Sequence, residues 1–116
     1  DICIVHNHKI PLLVASQNGH IDVMRLLLDN GADVNKANEK EKGQTSLQAT
    51  GYQGNVDAAR LLLDKGAKIE QATQEGTTPL HFACKYGNVD VTRLLLEKGA
   101  DLACFCQKEN NIDVVQ

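Results

Sequence analysis

Apolar residues recur along this chain in short bursts separated by polar turns. The most regular bursts are the leucine triplets Leu26 to Leu28, Leu61 to Leu63 and Leu94 to Leu96. Around the last of them, Val89, Val91, Leu94 and Leu95 fall at helical spacing, which predicts an amphipathic helix from near Val89 to a stop at Gly99. Ahead of it, Leu80, Phe82, Ala83 and Cys84 predict a shorter helix that runs to Gly87, where the absence of a Cβ suits a left-handed turn. Thr78 is a good N-cap for this first helix, and Pro79 suits its first position because its φ is preset and its missing N–H is not needed. No apolar run approaches the roughly 18 residues of a membrane span, and Ile10 to Ala15 is among the longest.

The pattern repeats. Segments beginning Gly19-His20-Ile21-Asp22, Gly54-Asn55-Val56-Asp57 and Gly87-Asn88-Val89-Asp90 each run into an arginine and a leucine triplet. Gly19 to Gly54 is a step of 35 residues and Gly54 to Gly87 a step of 33, and Gly31, Gly66 and Gly99 repeat those steps. Such a period is not that of heptads, so the triplets do not predict a coiled coil. It marks stacked units that bury little alone and gain stability from their neighbours.

Within the third unit, Thr78-Pro79-Leu80-His81-Phe82-Ala83 reproduces a T-P-L-H-x-A signature. With the period of about 33 residues, the chain resembles the ankyrin repeat proteins over about residues 10 to 101. The resemblance implies an all-α repeat solenoid, in which helix-turn-helix pairs are joined by hairpin fingers. Its register gives a finger of a preceding repeat at 1–9, repeats at 10–42, 43–75 and 76–108, and a degenerate cap or truncated fourth repeat at 109–116. The finger between the first two repeats is two residues longer than the next, with its excess in Glu39 to Lys42, where an insertion at a solvated tip should cost little. Repeat two departs most from the signature. Ser46 replaces the proline, Gln48 the histidine, Gly51 a helical alanine and Ala58 a valine, so this unit is expected to be the softest.

Composition narrows the function. A net charge of −3 and a pI near 5.7 lack the basic surplus of a nucleic-acid binder. Only 3% of residues are aromatic although 42% are hydrophobic, so the core must be filled by Leu, Val and Ala. Phe82 is the one ring at a core position in the register, whereas Tyr52, Tyr86 and Phe105 fall at variable, outward positions. Rings are over-represented among binding hot spots.

The candidate chemistry reads as structural support. Asp22/Arg25, Asp57/Arg60 and Asp90/Arg93 place a carboxylate in the first turn of a helix and an arginine three residues on, as the helix dipole and side-chain pairing favour. His6-x-His8 and Cys104-x-Cys106 sit at opposite ends of the stack and cannot share one ion, so no metal is expected. Cys84 reads as an inert core residue and the free thiols as a sign of a reducing compartment. No phosphate loop or dinucleotide fingerprint occurs, and no cofactor is expected. By resemblance, His81 ties its helix start to loop backbone, and His20, Asn55 and Asn88 serve the starts of the second helices. The resemblance also marks Asn35, eight residues after Leu27 in Asp33-Val34-Asn35, as a site of possible asparaginyl hydroxylation beside its hairpin role.

Ankyrin arrays act as binding scaffolds, so the resemblance implies a non-enzymatic module that docks a protein or peptide on its concave face. The register assigns Gln17, Asn18, Tyr52, Gln53, Lys85 and Tyr86 on the inner helices to that face. Glu39, Lys40, Glu41, Lys42, Gln74, Glu75, Thr77 and Phe105 join them from the fingers. The alternative is a substrate-recruiting segment of a larger kinase, ubiquitin ligase or acyltransferase, whose catalytic domain would lie outside these residues. The expected setting is intracellular, cytoplasmic or nuclear, as a monomer that could associate end to end if truncated.

Overall fold

The computed structural model describes residues 10–102. Three helix pairs follow one another: α1 (Pro11–Asn18) and α2 (Ile21–Asp29), α3 (Ser46–Gln53) and α4 (Val56–Asp64), α5 (Pro79–Lys85) and α6 (Val89–Glu97). A single 3₁₀ turn, Glu39–Glu41, lies in the first finger. The first helices stack α1 on α3 on α5, and the second helices α2 on α4 on α6. The all-α solenoid expected from the sequence is the fold observed. The terminal segments 1–9 and 109–116, the Cys and His pairs assigned to the two ends, and Phe105 all lie outside the described residues.

Helix boundaries follow from local chemistry. Thr78 accepts from the His81 amide at 3.4 Å while His81 Nδ1 accepts from the Thr78 amide at 3.0 Å, a reciprocal capping box. Thr45 and Gln48 build the same box, the Gln48 Oε1 accepting from the Thr45 amide at 2.8 Å. Ile10 has no polar side chain to cap with, and α1 starts on Pro11 alone. Among the second helices, only Asn55 caps with its side chain, accepting from the Ala58 amide at 3.0 Å. His20 and Asn88 make no such bond, and Asn88 instead donates to the Gly51 carbonyl of the preceding unit.

The core is aliphatic. Leu12, Leu13, Met24, Leu47, Leu62, Leu94, Leu95 and Val91 are almost fully buried, and Ala49, Ala58, Ala59 and Ala83 are buried with them. Each fully buried leucine contributes about 1.5–3 kcal/mol, which a thin layered stack can collect without large rings. Phe82, expected in the core, is only half-buried, and its ring packs edge-on against Tyr52. Cys84, expected to be inert and internal, is exposed. Val89, expected on the buried face of α6, is 63% exposed. Both line a mainly apolar cleft of about 680 Å³ on the open side of the third unit, together with Gly87 and Leu96. At the other end Val23 and Leu26 are exposed, although their register mates Ala58, Leu61, Val91 and Leu94 are buried against the preceding layer.

Repeat two carries packing and capping that its substitutions did not suggest. It is packed on both sides, and every residue from Ser46 to Gly51 is buried. Gln48 performs the same capping as His81 and also donates from Nε2 to the Gln71 carbonyl at 2.7 Å, tying α3 to the following finger. Gly51 faces α5 at close range: a Cβ there would stand 2.9 Å from Phe82 Cβ and 2.9 Å from the Pro79 carbonyl oxygen. The glycine that costs helix propensity permits a close contact between α3 and α5.

Candidate functional site

The fingers lie beside one another and are laced along their bases. Asn35 Oδ1 accepts from the Lys68 amide at 2.8 Å, its Nδ2 donates to the Gly66 carbonyl at 3.3 Å, and its carbonyl accepts from Gln71 Nε2 at 3.2 Å. Both ends of its side-chain amide are thus engaged in joining one finger to the next. The hairpin itself is brief. Asn38 and Gln44 form an isolated antiparallel bridge, and the next finger closes with the Thr73 amide on the Thr77 carbonyl at 2.9 Å.

The inserted stretch is structured by its own polar groups. Asn38 Oδ1 accepts from the Lys40 amide at 2.9 Å and caps the 3₁₀ turn, which ends on Lys42 with φ 61. That left-handed residue turns its carbonyl toward the neighbouring finger, where it accepts from the Gln74 amide at 2.8 Å. Lys42 Nζ reaches Glu75 at 3.1 Å, and Gln74 Nε2 donates to Glu39 at 3.1 Å. The tip expected to be simply solvated clasps the next tip.

On the inner helices, Gln17 donates from Nε2 to Gln44 Oε1 at 3.0 Å and lies 3.4 Å from Glu41. Gln53 donates to the Gln17 carbonyl at 3.1 Å, and the Tyr52 hydroxyl lies 3.4 Å from Gln44 Oε1. The structure therefore brings Gln17, Glu41, Gln44, Tyr52 and Gln53 into one polar network, whose member Gln44 stands at the base of the first finger. Asn18 is bonded back to the Val14 carbonyl at 2.9 Å, and Thr77 joins its own finger through the Thr73 hydroxyl at 3.2 Å.

Beside this network stand three rings. Tyr52 meets Phe82 edge-on at 5.9 Å between centroids and Tyr86 at 6.0 Å. Tyr52 is consequently half-buried and not fully outward. Tyr86 is 53% exposed, with the Lys85 ammonium 5.6 Å from its ring centroid. Burial pushes the Tyr52 hydroxyl above the ordinary tyrosine value of 10.0; bonds to Gln17 and Gln44 oppose the shift, while Glu41 and Tyr86 add to it. Sequence reasoning placed these residues on one face, with Gln44 among the finger positions, but no motif marks Gln44 as the hub between finger and helices. Of the three repeated Asp/Arg pairs, only Asp90–Arg93 closes among the described residues, at 3.2 Å and exposed to solvent. No group of three or more His, Cys, Asp or Glu is placed to hold a metal among the described residues.

Stacked helix pairs, laced fingers and capping boxes at a constant register are the features of an ankyrin array. Residues 12–106 match the family described as ankyrin repeats (3 copies), and the chain belongs to that family. It is 38% identical over 73 residues to the NF-kappa-B inhibitor cactus of Drosophila melanogaster, covering 61% of this chain and 14% of that protein. The cactus protein of Drosophila yakuba gives the same identity over 15% of its length. A shorter stretch of 34 residues is 50% identical to alpha-latrotoxin-Lt1a of Latrodectus tredecimguttatus, 29% of this chain and 2% of the toxin. The chain thus spans only a small part of the relatives it matches. Ankyrin repeats are in general protein-interaction modules, and no helix among the described residues is long and apolar enough to cross a membrane.

Proposed function

We propose that this array is a non-enzymatic docking module that binds a protein or peptide across its concave face, between the finger tips and the inner helices α3 and α5. The observation that carries this reading is the exposed Tyr86 ring, held edge-on against Tyr52 at 6.0 Å beside a continuous polar network. A ring fixed by its neighbours loses little freedom when a partner covers it, and tyrosines are enriched among the residues that dominate binding energy. The inhibitory role in the name of the cactus relatives supports a protein partner over a small molecule. An intracellular setting belongs to the same proposal, and so does hydroxylation of Asn35, which a mass gain of one oxygen on the peptide from the native cell would reveal.

Tyr86→Ala is the direct test, because Tyr86 is exposed and its removal leaves the stack intact. With the partner recovered by affinity capture, the substitution is expected to weaken binding by about 2 kcal/mol or more, the range of a hot-spot residue. Unchanged affinity in a folded variant would remove the concave face from consideration. Tyr52→Phe serves as the companion, since it keeps the ring packing and removes only the hydroxyl.

A further inference from the structure

The charges of the concave face are unequally satisfied. Each of its carboxylates already has a neighbour in reach: Glu39 accepts from Gln74 at 3.1 Å, Glu41 lies 3.4 Å from the Gln17 amide, and Glu75 pairs with Lys42 at 3.1 Å. Two of its ammonium groups are not so answered. Lys40 and Lys85 are exposed, and neither forms an ion pair among the described residues. Lys85 is further defined by its place 5.6 Å from the Tyr86 ring, itself half exposed. A ring face can hold a cation, but an exposed contact of this kind is worth only a fraction of what a carboxylate brought against the same ammonium in a drying interface supplies.

We propose that the partner segment recognised on this face is acidic: a peptide that sets a carboxylate on Lys85 and lays an adjacent apolar side chain along the Tyr86 ring. The inference rests on the concave-face reading above and names the chemistry of its occupant. It runs against the net charge of −3 of the chain, which would by itself predict attraction of a basic partner. Local pairing decides the matter. A basic segment meets carboxylates that would have to give up Gln17, Gln74 or Lys42, and it meets two free ammonium groups as like charges. An acidic segment displaces nothing.

The test uses the whole 116-residue chain, labelled with ¹⁵N, and a dodecapeptide of glutamates flanking two phenylalanines. Controls are the same peptide with lysine or with glutamine in place of glutamate, and a short single-stranded oligonucleotide. The acidic peptide is expected to shift the Lys85 and Tyr86 amides to saturation, and to lose affinity as salt is raised. Lys85→Glu should weaken it at least about tenfold through like-charge repulsion, and Lys85→Arg should restore it. Tighter binding by the lysine peptide, the glutamine peptide or the oligonucleotide overturns the inference, as does an acidic peptide that binds without moving Lys85 and Tyr86. A natural partner lost with Tyr86→Ala but indifferent to Lys85→Glu would leave the docking face standing and reject its acidic occupant. Indifference to both would reject the two together.

Discussion

Replacing Gly51 by alanine separates a reading based on helix propensity from one based on packing between layers. Propensity alone predicts a gain of about 0.5–1 kcal/mol, because alanine loses less backbone entropy than glycine inside a helix. The stack predicts the reverse. A Cβ at Gly51 would lie 2.9 Å from Phe82 Cβ, 2.9 Å from the Pro79 oxygen and 3.2 Å from the Ala83 nitrogen. Two of those atoms are backbone and cannot swing aside, so α3 and α5 must separate by several tenths of an ångström. Overpacking of this kind costs about 1–3 kcal/mol, which exceeds the propensity gain and leaves a net loss on the order of 1–2 kcal/mol. The separation would also pull on the bond from Asn88 to the Gly51 carbonyl. Urea denaturation followed by circular dichroism reads the effect as a lower midpoint at unchanged slope. Cys84→Gly compared with Cys84→Ala, at the register mate of Gly51 in the third unit, supplies the contrast: that position is exposed, and glycine there should be less stable than alanine by about 0.5–1 kcal/mol. A midpoint raised by Gly51→Ala would refute the packing argument.

Other expected outcomes follow from the same geometry. Gln48→Leu orphans the Thr45 amide and the Gln71 carbonyl, bonded at 2.8 and 2.7 Å, and should cost about 2–4 kcal/mol, whereas Gln48→His, matching His81, should stay within about 1 kcal/mol; equal melting midpoints for the two would contradict the capping role. Hydrogen exchange should find the α3 amides at least as well protected as those of α5, since α3 is covered on both sides. Markedly faster exchange in α3 would restore the weak-unit expectation. Because the Tyr52 hydroxyl is raised above 10.0 in the fold, the unfolded chain loses that proton first. Its contribution is therefore complete below pH 10 and is lost as pH rises from 10 through the folded value. The stability difference between the wild type and Tyr52→Phe should be flat below that window and fall within it, and a difference that stays flat throughout would deny the burial.

Helix positions were legible because their signals are local. Thr45 and Thr78 cap, Pro11 and Pro79 open, and the glycines at 19, 54 and 87 adopt the positive φ that ends or follows a helix. The features that escaped depend on the next layer. Nothing near Gly51 in sequence reports that Phe82 and Pro79 will press against it, so a packing glycine read as a defect. Cys84 and Val89 carry the pattern of core residues, yet a core position is buried only by the layer that covers it. Tyr52 was expected at an outward position, and its half-burial arises from Phe82 and Tyr86 in the following unit. The clasp from Lys42 to Gln74 likewise joins residues whose proximity comes from stacking and not from chain order.

The concave docking face is tested most directly by where a bound partner lies. A photo-crosslinking p-benzoylphenylalanine placed at Tyr86 and, separately, at Arg60 on the exposed side of α4 would report contact at the two faces under the same conditions. Adducts from position 86 that disappear with excess unlabelled chain, and none from position 60, are the predicted result. Adducts from position 60 alone would contradict the account.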